Sequence, residues 1–137
     1  EIERIMTSAV VTATPQTTIH QAFQLLGDQE IRHLPVVDDG RLVGMVSDRD
    51  LREYRLPAIE EADDPEYADS LLANTLGSVM NSNVVALDTG ESLRAAVDLM
   101  VEYGVGAIPV IDRHSDELQG IVSYVDILKA IRPSLEP

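Results

Sequence analysis

The sequence predicts a mixed α/β (α+β) fold made of two copies of one β-α-β-β-α unit. Three observations carry that prediction. The chain realigns on itself, with residues 5–50 matching 79–126. Each copy switches between a period-2 and a period-3.6 apolar pattern at matching places. Both copies close on Gly-h-h-Ser-x-x-Asp, where h is apolar: Gly44–Asp50 and Gly120–Asp126. Of 43 aligned positions 14 are identical, against about 3 expected from average residue usage.

Val10–Ala13 and Val84–Leu87 read as short β-branched strands. Thr18 is placed as an N-cap, with Gln21 completing a capping box, and Ile19, Ala22, Phe23 and Leu26 form one helix face. Ser92 is the matching cap, and Leu93, Ala96, Val97 and Met100 the matching face. Leu34–Val37 and Ile108–Ile111 read as buried strands. Asp38-Asp39-Gly40 signals a hairpin turn into a strand at Leu42–Val46. Second helices begin at Asp48 and Tyr124. Two extra residues of the second copy fall at Arg113–Glu117, in a turn, where insertions are tolerated. The organisation is thus repeat one over 1–55, an acidic linker over 56–78, repeat two over 79–132 and a tail over 133–137. Within the linker, Tyr67–Leu76 reads as a helix with a Leu71, Leu72, Thr75, Leu76 stripe.

Composition narrows the function. The chain has 10 Lys+Arg against 24 Asp+Glu, a net charge of −14. Nucleic-acid binders need a basic face, so neither nucleic acid nor an anionic membrane is the expected partner. With no cysteine, thiolate metal sites, disulfides and cysteine nucleophiles are excluded. No apolar run approaches the roughly 20 residues of a membrane span, and a cytoplasmic setting is expected. His20, His33 and His114 lack metal-ligand spacing, and Ser47 lacks a nucleophile elbow. The carboxylates at 60–66 lack a cation-loop pattern and read as a solvated linker.

Ser47 with Asp50, and Ser123 with Asp126, carry two readings at once. Each pair is a capping box at a strand-to-helix junction. Each also sets a carboxylate and a hydroxyl beside free helix N–H groups, a place where an acid can accept both hydroxyls of a ribose. Spacing alone does not separate the two.

Two β-α-β-β-α copies, each with a Leu/Ile-Pro-Val-h-Asp strand and a Gly-h-h-Ser-x-x-Asp close, resemble a CBS-domain pair, or Bateman module. The likeness spans nearly all of the chain outside the linker and tail. It implies a pseudo-two-fold pair whose clefts bind adenosyl ligands such as AMP, ADP or ATP, with or without Mg²⁺, and no required cofactor. It implies that Asp50 and Asp126 hold ribose hydroxyls, with Ser47 and Ser123 near ribose or phosphate. Val10–Thr14 and Val84–Asp88, including Val11, Thr12 and Val85, would flank adenine. Thr7 and Asn81 match a loop position that touches phosphate. It also implies a homodimer through helices, for which Leu51, Leu56, Leu128 and Ile131 are candidates.

The copies differ where phosphate would lie. Arg32-His33 precede the proline of copy one, and Gly106-Ala107 that of copy two; Arg49 and Arg52 face Val125 and Leu128 in the alignment. Arginine suits bidentate phosphate contacts, so Arg32, His33 and Arg49 point to one stronger, phosphate-bearing site. The expected function is a non-enzymatic nucleotide sensor that signals to an unidentified effector. The alternatives are an interaction scaffold with empty clefts and the detached regulatory part of a larger enzyme or transporter.

Overall fold

The Thr18 capping box forms as its spacing predicts. Thr18 Oγ1 accepts the Gln21 N–H at 3.1 Å, and the Gln21 carbonyl oxygen accepts the Thr18 N–H at 2.9 Å. The helix it starts, α1 (Ile19–Asp28), buries Ile19, Ala22 and Leu26. The structure, a computed structural model, describes residues 2–60 and 64–137, and of residues 55–60 the backbone alone. Two compact units result. The first comprises Val11–Asp39 and Val43–Val84; the second comprises Glu1–Val10, Gly40–Leu42 and Val85–Pro137. Each unit therefore contains the leading segment of the other sequence copy.

In the first unit α1 leads to β1 (His33–Asp38), the Val43–Ser47 part of β2 (Arg41–Ser47), α2 (Asp48–Glu60), α3 (Pro65–Leu72) and α4 (Leu76–Val79). Asp39 and Gly40 join β1 to β2 with φ of 54° and 80°. Two positive φ values in succession make the tight hairpin turn that Asp-Gly favours. Ala13, Ile19, Ala22, Leu26, Leu34, Val36, Val46, Leu51 and Leu76 form the core.

The second unit holds β3 (Leu87–Asp88), α5 (Leu93–Tyr103), β4 (Ala107–Asp112), β5 (Glu117–Ser123) and α6 (Tyr124–Ile131). Ser92 caps α5 by accepting the Ala95 N–H, and Gly104 ends it at φ 65°. β3 runs parallel to β4, and β4 runs antiparallel to β5 with Ala107 opposite Ser123 and Asp112 opposite Glu117. The core is Ile2, Leu87, Ala96, Ile108, Val110, Val122 and Ile127. Ile2 is fully buried. Its N–H donates to Glu91 O at 3.1 Å, and the Glu3 carboxylate accepts the Gly90 N–H at 2.7 Å.

Three expectations need correction. The strands expected at Val10–Ala13 and Val84–Leu87 are shorter: Ala13 alone bridges Val36, and β3 holds only Leu87 and Asp88. In both cases a proline of the neighbouring strand, Pro35 or Pro109, has no N–H to continue the ladder. The helix expected over Tyr67–Leu76 stops at Leu72. Asn74 O and the Leu76 N–H bond to the Ile19 N–H and Thr17 O at 2.9 and 2.8 Å, which breaks the i→i−4 run, and Thr75 opens α4. Leu51, considered for a dimer face, is wholly buried in the first core. The side chain of Leu56 and residues 61–63 of the acidic linker lie outside the described residues.

Candidate functional site

Both Ser-x-x-Asp elements close as capping boxes. The Ser47 N–H donates to Asp50 Oδ2 at 3.0 Å and the Asp50 N–H to Ser47 Oγ at 3.0 Å. The Ser123 N–H donates to Asp126 Oδ2 at 2.9 Å and the Asp126 N–H to Ser123 Oγ at 3.2 Å. One oxygen of each carboxylate is thereby committed. Oδ1 of Asp50 and of Asp126 has no hydrogen-bond partner among the described residues. The helix N-terminus beside each box adds partial positive charge.

A crossing segment passes over the glycine of each element. In the first unit Met80 and Asn81 cross β2: Met45 N–H donates to Asn81 O at 3.1 Å, and Asn81 N–H to Met45 O at 3.3 Å. A Cβ on Gly44 would collide with Met80 Sδ. In the second unit Met6 and Thr7 cross β5, exchanging two 2.9 Å hydrogen bonds between Thr7 and Ile121. A Cβ on Gly120 would stand 2.6 Å from Met6 Sδ and 2.8 Å from Thr7 O. The glycines are required by this close approach. Thr7 therefore belongs to the unit of Ser123 and Asp126, and Asn81 to that of Ser47 and Asp50.

The dipeptide before each proline strand is tied to its helix start. Asp48 N–H donates to Arg32 O at 2.8 Å, and Tyr124 N–H to Gly106 O at 2.9 Å. Arg32 and His33 thus occupy the place that Gly106 and Ala107 hold in the other unit. His33 is half-buried, and its pKa is lowered by that burial; the Asp50 carboxylate pulls it up and Arg32 pushes it down. Arg52 pairs with Asp48 at 3.1 Å, while Arg32 and Arg49 make no ion pair among the described residues. Val11 and Thr12 lie with these groups in the first unit, and Val85 in the second.

Next to Asp50 the first unit has an open cavity of about 220 Å³, lined by Asp50, Glu53, Tyr54, Val79, Met80 and Asn81. Glu53, Tyr54, Val79 and Met80 are not among the residues the sequence assigns to the site. Glu53 and Tyr54 follow Asp50 at i+3 and i+4, one face of α2, and that spacing was the available signal. Met80 arrives only through the crossing segment. No group of three or more His, Asp or Glu is arranged to hold a metal among the described residues. Nor is any described helix long and apolar enough to cross a membrane.

A family model, CBS domain, matches the chain twice, over residues 2–57 and 76–133. The chain belongs to the CBS-domain family. Its tandem CBS repeats are similar to a CBS domain-containing protein of Dictyostelium discoideum, 31% identical over 137 residues, covering 99% of this chain and 94% of that one. Hypoxic response protein 1 of Mycobacterium tuberculosis is 32% identical over 126 residues, covering 91% of this chain and 80% of that protein. The chain spans 32% of the longer Methanocaldococcus jannaschii protein MJ1404. Among solved structures, CBSX2 in complex with AMP matches with TM-score 0.79 at 25% identity, covering 96% of this chain and 95% of that one. The CBS domain pair of MJ0100, solved with 5′-methylthioadenosine and S-adenosyl-L-methionine, shares the fold with TM-score 0.78 at 24% identity, covering 98% of this chain and 97% of that one.

Proposed function

We propose that this CBS pair is a regulatory sensor that binds an adenosyl ligand, not an enzyme. The observation that carries the reading is the unspent Asp50 Oδ1 beside the start of α2 and the 220 Å³ cavity. A carboxylate oxygen with free acceptor capacity suits the hydroxyls of a ribose. CBSX2, which has the same fold, was solved with AMP.

Arg32, His33 and Arg49 make the first unit the phosphate-bearing site. With Gly106, Ala107 and Val125 in their places, the second unit takes a ligand with an uncharged or bulkier 5′ group. Asp126, Ser123, Thr7 and Val85 serve there as Asp50, Ser47, Asn81 and Val11 serve in the first. Binding shifts the population of two arrangements, and an effector protein reads the difference.

The homodimer contact belongs on α6. Tyr124, Val125 and Leu128 are exposed there, where α2 carries Asp48, Arg49 and Arg52. A helix face without carboxylates is the place where two chains of net charge −14 meet with least repulsion.

Isothermal titration with AMP, ATP and S-adenosylmethionine, on the wild type and on Asp50→Ala and Asp126→Ala, tests the sensor reading. Binding of one ligand, lost in one variant, supports it. No binding by a folded wild type leaves the capping boxes as purely structural and favours an interaction scaffold, a reading that the closed boxes already accommodate.

A further inference from the structure

Pro35 and Pro109 sit in equivalent places, and each stops a parallel ladder one rung short. In the first unit the Ala13 N–H donates to Pro35 O at 3.0 Å, and Ala13 O accepts the Val37 N–H at 2.8 Å. In a parallel pair the next rung toward the N-terminus would join the Val11 N–H to His33 O and a residue-35 N–H to Val11 O. Proline has no such N–H. In the second unit β3 pairs Leu87 with Val110, so the next rung would fall on Val85 and would need an N–H at Pro109. Val11, Thr12 and Val85 take part in no backbone hydrogen bond among the described residues.

Proline within a sheet usually sits where its missing donor faces solvent or a bulge. Here the missing donor would face a neighbouring segment rich in β-branched residues, Val10–Thr12 in one unit and Val84-Val85 in the other. Both buried core strands carry this interruption at the same register position. We propose that Pro35 and Pro109 are positioning residues for the ligand's base. By withholding the donor that would bond Val11 O and Val85 O, they leave the rung unclosed, with those carbonyls and the adjacent unbonded N–H groups open to a flat heterocycle that offers an acceptor and a donor side by side. Adenine has such edges. The strand and the ligand compete for the same two backbone groups, and proline decides the competition in favour of the ligand. This inference rests on the adenosyl reading above.

The test compares three proteins: wild type, Pro35→Val, and a chain with the hydroxy-acid analogue of valine at position 35, installed by nonsense suppression. The analogue has valine's side chain but an ester oxygen in place of the N–H. Titration with AMP and amide hydrogen exchange are the readouts. In Pro35→Val the new amide at position 35 is expected to be protected from exchange, and AMP affinity to fall about tenfold or more, the worth of one to two hydrogen bonds. The ester protein is expected to bind AMP within about threefold of wild type, a difference well under 1 kcal/mol. Protection at position 35 also shows that the variant is folded. Unchanged AMP binding by Pro35→Val, or equal loss in the valine and ester proteins, overturns the inference while leaving the sensor reading intact. A wild type that binds no adenosyl ligand overturns both.

Discussion

The Asp50 carboxylate closes a reciprocal pair with Ser47, taking the Ser47 N–H at 3.0 Å while its own N–H reaches Ser47 Oγ at 3.0 Å. The same group is thus a structural cap and the proposed ribose acceptor, and substitutions separate the two duties. Asp50→Ala is expected to cost about 1 kcal/mol of stability, as lost helix caps do, and to abolish binding in the first unit. Ser47→Ala removes the other half of the box, costs a similar amount, and leaves the Asp50 carboxylate in place. Urea denaturation and titration of both variants check this. If Ser47→Ala and Asp50→Ala weaken ligand binding equally, the carboxylate acts only through the cap.

The two crossing segments predict unequal costs at equivalent glycines. At Gly120 a new Cβ meets backbone, Thr7 O at 2.8 Å; at Gly44 the nearest backbone atom, Asn81 O, is 3.3 Å away, and the closest atoms belong to the flexible Met80 side chain. Overpacking costs about 1–3 kcal/mol. Gly120→Ala should lie near the upper end and Gly44→Ala near the lower. Chemical denaturation midpoints would show the order, and the reverse order would contradict the geometry.

His33 gives the fold a pH dependence of known sign. Burial lowers its pKa in the folded protein below the ordinary value of about 6.5. Above the unfolded value the imidazole is neutral in both states and its contribution is complete. As pH falls from there toward the lowered folded value, the unfolded chain binds a proton that the folded chain refuses, and stability is lost. His33→Gln should remove that part of the pH dependence. NMR titration can follow the His33 imidazole directly. An anionic phosphate beside His33 would raise its pKa, so AMP binding should be accompanied by proton uptake that His33→Gln lacks.

Ile2 predicts how strongly the N-terminal segment holds the second unit. It is fully buried, so Ile2→Ala should cost about 2–5 kcal/mol, as large-to-small core changes do. Hydrogen exchange should quicken first in β4 and β5. Unaltered protection there would mean that the segment is dispensable.

The α6 face predicts the assembly. Leu128→Glu should shift the chain toward monomer in light scattering with little loss of stability, since Leu128 is 53% exposed. Arg52→Glu at the equivalent place on α2 should leave the assembly unchanged. An equal effect of the two substitutions would remove α6 as the contact.

Local features were legible in the sequence and remote ones were not. Thr18, Ser92 and Ser123 are legible as caps, and the Asp39-Gly40 turn from its own residues, because the interactions that make them close within three or four positions. The doubled Gly-h-h-Ser-x-x-Asp marked both junctions. Its glycine gave no hint of the Met80 or Met6 segment above it, because those contacts join residues more than 30 positions apart. The strand at Val10–Ala13 was overextended for a related reason: its length depends on a proline in its neighbour, not on its own β-branched residues. Tyr54 reaches the cavity through its i+4 spacing from Asp50 on α2.

The division of the chain into Glu1–Val10 with Val85–Pro137, and Leu76–Val84 with Val11–Asp39, bears on how the molecule is made. A ribosome delivers the N-terminal segment first, yet the core that buries Ile2 is complete only after Ile127 has emerged. The first core likewise waits for Leu76. Contacts of such long sequence separation slow folding and leave apolar segments exposed in the meantime. A nascent chain stalled between the repeats would therefore carry an unfinished first core and an unsheltered Ile2, and neither half can be expected to mature alone.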